Sequence, residues 1–150
     1  MKKKKILLIL TGGTFGMREG IPSYALKPGA IDGKYILDAV PEVRELADIE
    51  WISIYNLDSS DISCEHWENI SRTIQDNYSS YDGFVVIHGT DTMSYSATAT
   101  SFIMKDTEKP VVFTGSQRSL AKIRTDAREN FINAMEYATH DIPEVTLSFG

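Results

Sequence analysis

Hydroxyl and carboxylate side chains recur in four short segments of this 150-residue sequence, and each segment directly follows an apolar run. Ligands of open α/β sheets bind outside the carboxyl ends of the strands, so four such segments would meet at one edge of a parallel sheet. The sequence therefore predicts a single polar site. The four segments are TGGT (11–14), NLDSSD (56–61), HGTDT (88–92) and TGSQ (114–117).

The chemistry of these segments does not suit a phosphate group. TGGTFG matches neither G-x-G-x-x-G nor G-x-x-x-x-G-K-[ST], and the four segments contain no lysine or arginine. The carboxylates of Asp58, Asp61 and Asp91 would repel a phosphate and would suit a ligand that carries an ammonium group. We therefore expect a ligand that bears an ammonium group.

Thr14 is the candidate for nucleophilic chemistry. Gly12 and Gly13 allow a sharp backbone turn that brings the chain close to a ligand, and the Thr14 hydroxyl follows directly. We interpret His88 as a structural residue that orients the HGTDT loop, so that activation of a threonine or serine would need another base.

The hydrophobic pattern predicts alternating strands and helices around these segments. Continuous apolar runs indicate buried parallel strands, which require helices on both faces of the sheet. The predicted fold is α/β, an open doubly wound, mainly parallel sheet in a three-layer α/β/α arrangement. The predicted strands are 6–11, 49–56, 83–88, 110–115 and 144–149, the predicted helices are 34–40, 42–47, 64–79 with Ser63 as its cap, 93–105 and 126–140, and 17–33 is predicted to be a long loop.

Composition narrows the choice of partners. The net charge of −6 argues against nucleic acid and against a membrane surface. The apolar run after the N-terminal lysines is too short for a signal peptide, which predicts a cytoplasmic protein. Cys64 is the single cysteine, and the three histidines lack metal-ligand spacing, so we expect neither a metal nor a cofactor.

The order and spacing of TGGTFGM, DSSD, HGTDTM and TGSQ resemble the bacterial-type L-asparaginases, most closely their type I cytoplasmic branch. The resemblance covers essentially all of residues 1–150, as the larger N-terminal domain of that family. It implies hydrolysis of L-asparagine, with weaker activity on L-glutamine, through a covalent threonine acyl-enzyme. It also implies a homodimer or homotetramer for the full-length enzyme.

The resemblance also implies individual roles. Thr14 matches the nucleophile, and Tyr24, in the following loop, matches the tyrosine that helps to activate it. Thr90 and Asp91 match two members of a Thr-Lys-Asp triad, and Asp91 also matches the partner of the substrate's α-ammonium group. The remaining matches are Ser59 and Ser60, for the amino-acid end of the substrate, and Ser116, for the pocket near the side-chain amide.

One part of the family pattern has no match in these residues. Family members are roughly twice as long, with a smaller C-terminal domain, and the triad lysine follows the last strand seen here. Lys122 is the nearest candidate, but SLAKIRTD (119–126) does not match the lysine motif. We therefore expect an isolated or truncated N-terminal domain, with little asparaginase activity on its own.

Two alternatives stay open at this point. The asparaginase-like component of a tRNA-dependent amidotransferase shares the threonine motifs, although it usually carries another domain before TGGT, which begins here at residue 11. The other alternative is a non-catalytic α/β module that binds a nucleotide or a metabolite. Binding of L-aspartate or of ATP would separate that module from an asparaginase site.

Overall fold

Five parallel strands form one sheet in the computed structural model, which describes residues 2–17 and 32–150. The strand order is β2-β1-β3-β4-β5, and all four neighbouring pairs run parallel. This confirms the predicted open parallel sheet. Tyr24, a predicted site residue, lies outside the described residues. The strands are β1 (Lys4–Gly12), β2 (Ala47–Leu57), β3 (Gly83–Ile87), β4 (Val111–Thr114) and β5 (Val145–Leu147).

Helices cover both faces of the sheet, as a sheet with two apolar faces requires. Helices α1, α2 and α5 pack on one face, and α3 and α4 pack on the other. The predicted three-layer arrangement is therefore confirmed. The helices are α1 (Gly33–Ala39), α2 (Val43–Leu46), α3 (Cys64–Asn77), α4 (Met93–Ile103) and α5 (Ala127–Ala138), and short 3₁₀ turns span Ser59–Asp61 and Tyr78–Ser80.

The two faces of β1 show why a continuous apolar run was needed. Successive side chains of a strand point to opposite faces. Leu8 and Leu10 therefore join the core under α5, while Leu7 and Ile9 join the core under α3 and α4. Because both sets are buried, the strand shows no alternation of polar and apolar residues.

Helix boundaries follow local signals in the sequence. Helix α1 ends before Pro41, because a proline disfavours helical backbone in the residue that precedes it. Ser63 is the N-cap of α3, as predicted, and its backbone N–H donates to Nδ1 of His66 at 2.9 Å. Among the described residues, no helix combines the length and apolar character that a membrane span requires.

The order of the strands creates a switch point between β1 and β3. From β1 the chain continues into α1 and α2 on one face, and from β3 it continues into α4 on the opposite face. The connections diverge there and leave a crevice at the carboxyl ends of the two strands. The TGGT and HGTDT segments stand at this crevice.

Candidate active site

The turn after β1 needs two glycines for steric reasons. Gly12 has φ +126° and Gly13 has φ +81°, a backbone region that other residues rarely adopt. A Cβ atom on Gly12 would lie 2.2 Å from the carbonyl oxygen of Leu57, and one on Gly13 would lie 2.6 Å from Cα of Gly89. The turn therefore packs backbone against backbone between the ends of β2 and β3, and Thr14 follows it.

Ser59 joins the segment after β2 to the segment after β3. Its Oγ atom accepts a hydrogen bond from the backbone N–H of Asp91 at 3.1 Å, and its carbonyl oxygen accepts one from the Thr92 hydroxyl at 2.7 Å. Ser59 is buried, and a Cβ atom on Gly89 would lie 2.7 Å from its Oγ atom. These contacts hold the HGTDT loop in one position relative to NLDSSD.

The Asp58 carboxylate is stabilised in its charged form. One of its oxygens accepts hydrogen bonds from the backbone N–H of Ser60 at 2.9 Å and from the Ser60 hydroxyl at 2.8 Å. These bonds lower the pKa of Asp58, because they favour the ionised carboxylate. Asp58 therefore contributes a negative charge to the site at neutral pH.

A cavity of about 60 Å³ lies at the switch point between these segments. Its walls carry three hydroxyl groups and two carboxylates and no cationic side chain from the described residues. Such walls suit a small polar ligand with an ammonium group. The lining residues are Gly13, Thr14, Met17, Asp58, Ser59, Gly89, Thr90 and Asp91.

The structure brings together four of the seven predicted site residues: Thr14, Ser59, Thr90 and Asp91 line this one cavity. Ser60 and Ser116 are not among its walls. The Ser60 hydroxyl bonds to Asp58, and Ser116 is buried with no hydrogen-bond partner for its hydroxyl among the described residues. Tyr24 is the seventh, and it lies outside the described residues.

His88 is buried beside the site but does not line the cavity. Its Nδ1–H group donates to the carbonyl oxygen of Gly89 at 2.7 Å, and Nε2 has no partner among the described residues. Burial lowers the pKa of His88, because it disfavours the charged imidazolium. A neutral ring bonded to the HGTDT backbone agrees with its interpretation as a structural residue.

Gln117 has a contact to which sequence reasoning gave no role. Its Nε2 group donates a hydrogen bond to the Thr90 hydroxyl oxygen at 3.4 Å. The feature that could have indicated this contact is the position of Gln117 directly after β4, since β4 is the neighbour of β3 in the sheet and Thr90 follows β3. Lys122, by contrast, lines a separate cavity with Arg118 and Arg124.

Residues 5–150 match the family model described as "Asparaginase, N-terminal". The chain belongs to the asparaginase family. Its similarity extends to L-asparaginase 1 of Escherichia coli strain K12, which is 40% identical over 99% of this chain and 45% of that protein. A glutamyl-tRNA(Gln) amidotransferase component of Pyrococcus horikoshii is 38% identical over 93% of this chain and 32% of that protein.

Solved structures of asparaginases have the same fold. L-asparaginase I of Vibrio cholerae superposes with a TM-score of 0.84 at 38% identity, covering 99% of this chain and 45% of that one. The "probable cytoplasmic L-asparaginase" of Campylobacter jejuni gives a TM-score of 0.83 at 33% identity, with 97% and 46% covered. The chain thus spans about half the length of the asparaginases that it matches.

Proposed function

We propose that this chain carries most of the active site of an L-asparaginase, which hydrolyses L-asparagine to L-aspartate and ammonia. The observation that supports this most directly is the single cavity that Thr14 and Thr90 share with Asp58 and Asp91 at the switch point. The two threonine hydroxyls can take part in acyl transfer, and the two carboxylates can bind an α-ammonium group. L-Glutamine, longer by one methylene, is a weaker substrate in this proposal.

Thr14 is the proposed nucleophile. Its hydroxyl oxygen gives up its proton and bonds to the carbon of the substrate's side-chain amide, the C–N bond breaks, and the nitrogen takes up a proton and leaves as ammonia. Water then hydrolyses the resulting ester and releases L-aspartate. Tyr24 is proposed to help to activate Thr14, although a tyrosine hydroxyl with a pKa near 10 needs a neighbouring cation or a water relay to accept a proton at neutral pH.

Thr90 and Asp91 are proposed as two members of a Thr-Lys-Asp triad, with Asp91 also binding the α-ammonium group. None of the described lysines lines the cavity. The proposal therefore assigns the triad lysine to a residue outside the described ones. Ser59 and Ser60 are proposed to hold the amino-acid end of the substrate. Ser116 is proposed to lie near the side-chain amide.

The negative charge that develops on the substrate's amide oxygen requires hydrogen-bond donors. The N–H group of Gly13 already donates to the carbonyl oxygen of Leu57 at 3.1 Å, so the backbone N–H groups at Thr14 and Thr90 are the proposed donors. One preorganised donor of this kind typically lowers the barrier by about 3 kcal/mol.

A second candidate function is supported by the similarity to the amidotransferase component from P. horikoshii. In that case the same threonine site would release ammonia for a tRNA-dependent reaction.

We further propose a small-molecule substrate, no nucleic acid or membrane partner for the asparaginase, a cytoplasmic location and a homodimeric or homotetrameric full-length enzyme. The net charge of −6 supports the absence of a nucleic acid or membrane partner, and the naming of the C. jejuni relative supports the location.

Ammonia release from L-asparagine tests the proposed function, with the protein translated from the whole reading frame that encodes this sequence. Thr14→Ala should abolish release and should abolish the mass increase that acylation produces on the intact protein. Thr98→Ala, on the exposed side of α4, is the matched control and should behave as wild type. Release that depends on glutamyl-tRNA(Gln) would favour the second candidate, and wild-type turnover by Thr14→Ala would contradict both.

A further inference from the structure

The Thr90 hydroxyl receives a hydrogen bond from a side chain that the proposed mechanism does not use. Nε2 of Gln117 donates to Oγ1 of Thr90 at 3.4 Å, across the neighbouring ends of β3 and β4. We propose that Gln117 is a positioning residue that sets the direction of the Thr90 hydroxyl. This inference deepens the proposed function and rests on it for the catalytic consequence only.

The backbone of Gln117 is held by the N-terminus of α5. The two carboxylate oxygens of Asp126 accept hydrogen bonds from consecutive backbone N–H groups, that of Gln117 at 2.8 Å and that of Arg118 at 2.9 Å. Hydrogen bonds in which one partner is ionised are roughly twice as strong as neutral ones. The base of the Gln117 side chain therefore has a defined position although the side chain itself is exposed.

Asn130, one turn further along α5, holds the other end of the same segment. It is buried, and its Nδ2 group donates to the carbonyl oxygen of Gly115 at 3.0 Å and to Asp126 at 3.4 Å. The segment from Gly115 to Arg118 is thus bonded to one helix at both ends. Because α5 packs on the sheet core through residues such as Phe131, that segment is anchored to the sheet.

This arrangement has a consequence for the hydroxyl proton. A threonine hydroxyl has one donor and two acceptor lone pairs, and its hydrogen rotates to suit its partners. An amide N–H that occupies one lone pair leaves the O–H group free to point elsewhere, and Thr90 lines the cavity. Gln117 is uncharged, so it orients the hydroxyl without altering the negative charge of the site.

The first test measures the Thr90 side chain directly. Side-chain couplings in the threonine-methyl-labelled full protein report the χ1 populations of Thr90. We expect one dominant rotamer in the wild type and in the control Gln75→Leu, on α3 and away from the cavity. We expect averaging over at least two rotamers in Gln117→Leu, which keeps the volume and removes the donor. Equal χ1 populations in all three proteins would overturn the proposal.

The second test measures catalysis of ammonia release from L-asparagine. Gln117→Leu should lower kcat by roughly 10- to 100-fold, the loss typical of a misplaced reacting group, and should leave KM nearly unchanged. In a Thr90→Val background the same substitution should cost no further activity, because its effect passes through the missing hydroxyl. The same loss of kcat in the wild-type and in the Thr90→Val backgrounds would overturn the proposal.

The two tests separate this inference from the proposed function. A wild-type protein that releases no ammonia contradicts the asparaginase proposal, yet the χ1 measurement still decides whether Gln117 orients Thr90. If the protein is active and Gln117→Leu changes neither kcat nor the χ1 populations of Thr90, the positioning role is overturned and the asparaginase proposal stands.

Discussion

The Ser59 hydroxyl oxygen accepts a hydrogen bond from the backbone N–H of Asp91 at 3.1 Å, although β1 separates β2 from β3 in the sheet. The segments that follow β2 and β3 therefore meet beyond the end of β1. The glycine turn after β1 lies against both of them, since Gly12 approaches Leu57 and Gly13 approaches Gly89. This three-way contact places Thr14, Ser59, Thr90 and Asp91 around one cavity.

Thr90→Val should lower kcat for asparagine hydrolysis by about 100-fold or more, because it removes a hydroxyl proposed to take part in proton transfer and conserves the side-chain shape. Steady-state ammonia release by the full protein measures this. Thr98→Val, on the exposed side of α4, is the control. A rise in KM with an unchanged kcat would instead make Thr90 a binding residue without a part in the chemical step.

Asp91→Ala should weaken binding of L-aspartate by roughly 10- to 150-fold, the 1.5–3 kcal/mol typical of a hydrogen bond to a charged group. Asp61→Ala removes the same charge nearby, but Asp61 does not line the cavity, so its effect should be much smaller. Isothermal titration measures both dissociation constants. Equal losses would mean that general negative potential, and no direct contact, holds the ligand.

Gly12→Ala should lower the free energy of unfolding by more than about 2 kcal/mol. A Cβ atom there would lie 2.2 Å from the carbonyl oxygen of Leu57, and the φ of +126° is strained for alanine. Urea denaturation measures the change. Gly150→Ala is the control, since no atom of the described residues lies within 4 Å of its added Cβ atom. A Gly12→Ala protein as stable as the wild type would contradict the packing described for this turn.

His88 should make stability depend on pH. Burial lowers its pKa in the folded chain below the ordinary value of 6.5, so the unfolded chain binds the proton first as pH falls. The stabilisation is fully present above pH 6.5 and is lost as pH falls from there towards the folded pKa, by at most about 1.4 kcal/mol per pH unit.

Urea titrations between pH 8 and pH 5 measure this dependence. His88→Gln should flatten the profile, whereas the exposed control His140→Gln should leave the slope as in the wild type. The same slope in wild type and His88→Gln would show that other groups cause the dependence. The carboxylates with lowered pKa values, Asp38, Glu50, Asp58 and Asp141, lose their contributions at lower pH, below their ordinary values of 3.8 to 4.5.

The sequence alone determined the elements and the edge of the sheet at which polar residues collect. Apolar runs such as 6–11 have to be buried on both faces, and the residue that ends such a run must stand at a carboxyl edge. The five predicted strands and five predicted helices are therefore confirmed, with ends displaced by a few residues. The last strand is the shortest, with three residues instead of the predicted six, and it pairs only with β4.

Only the tertiary structure decided which polar residues share a cavity. Neighbours in sequence separate there: Ser59 turns inward to the N–H of Asp91, while Ser60 bonds to the Asp58 carboxylate. Distant residues meet, as Gln117 does with Thr90. The physical reason is that strand order and close backbone packing, such as Gly13 against Gly89, depend on contacts between segments far apart in the chain, which no local pattern of residues encodes.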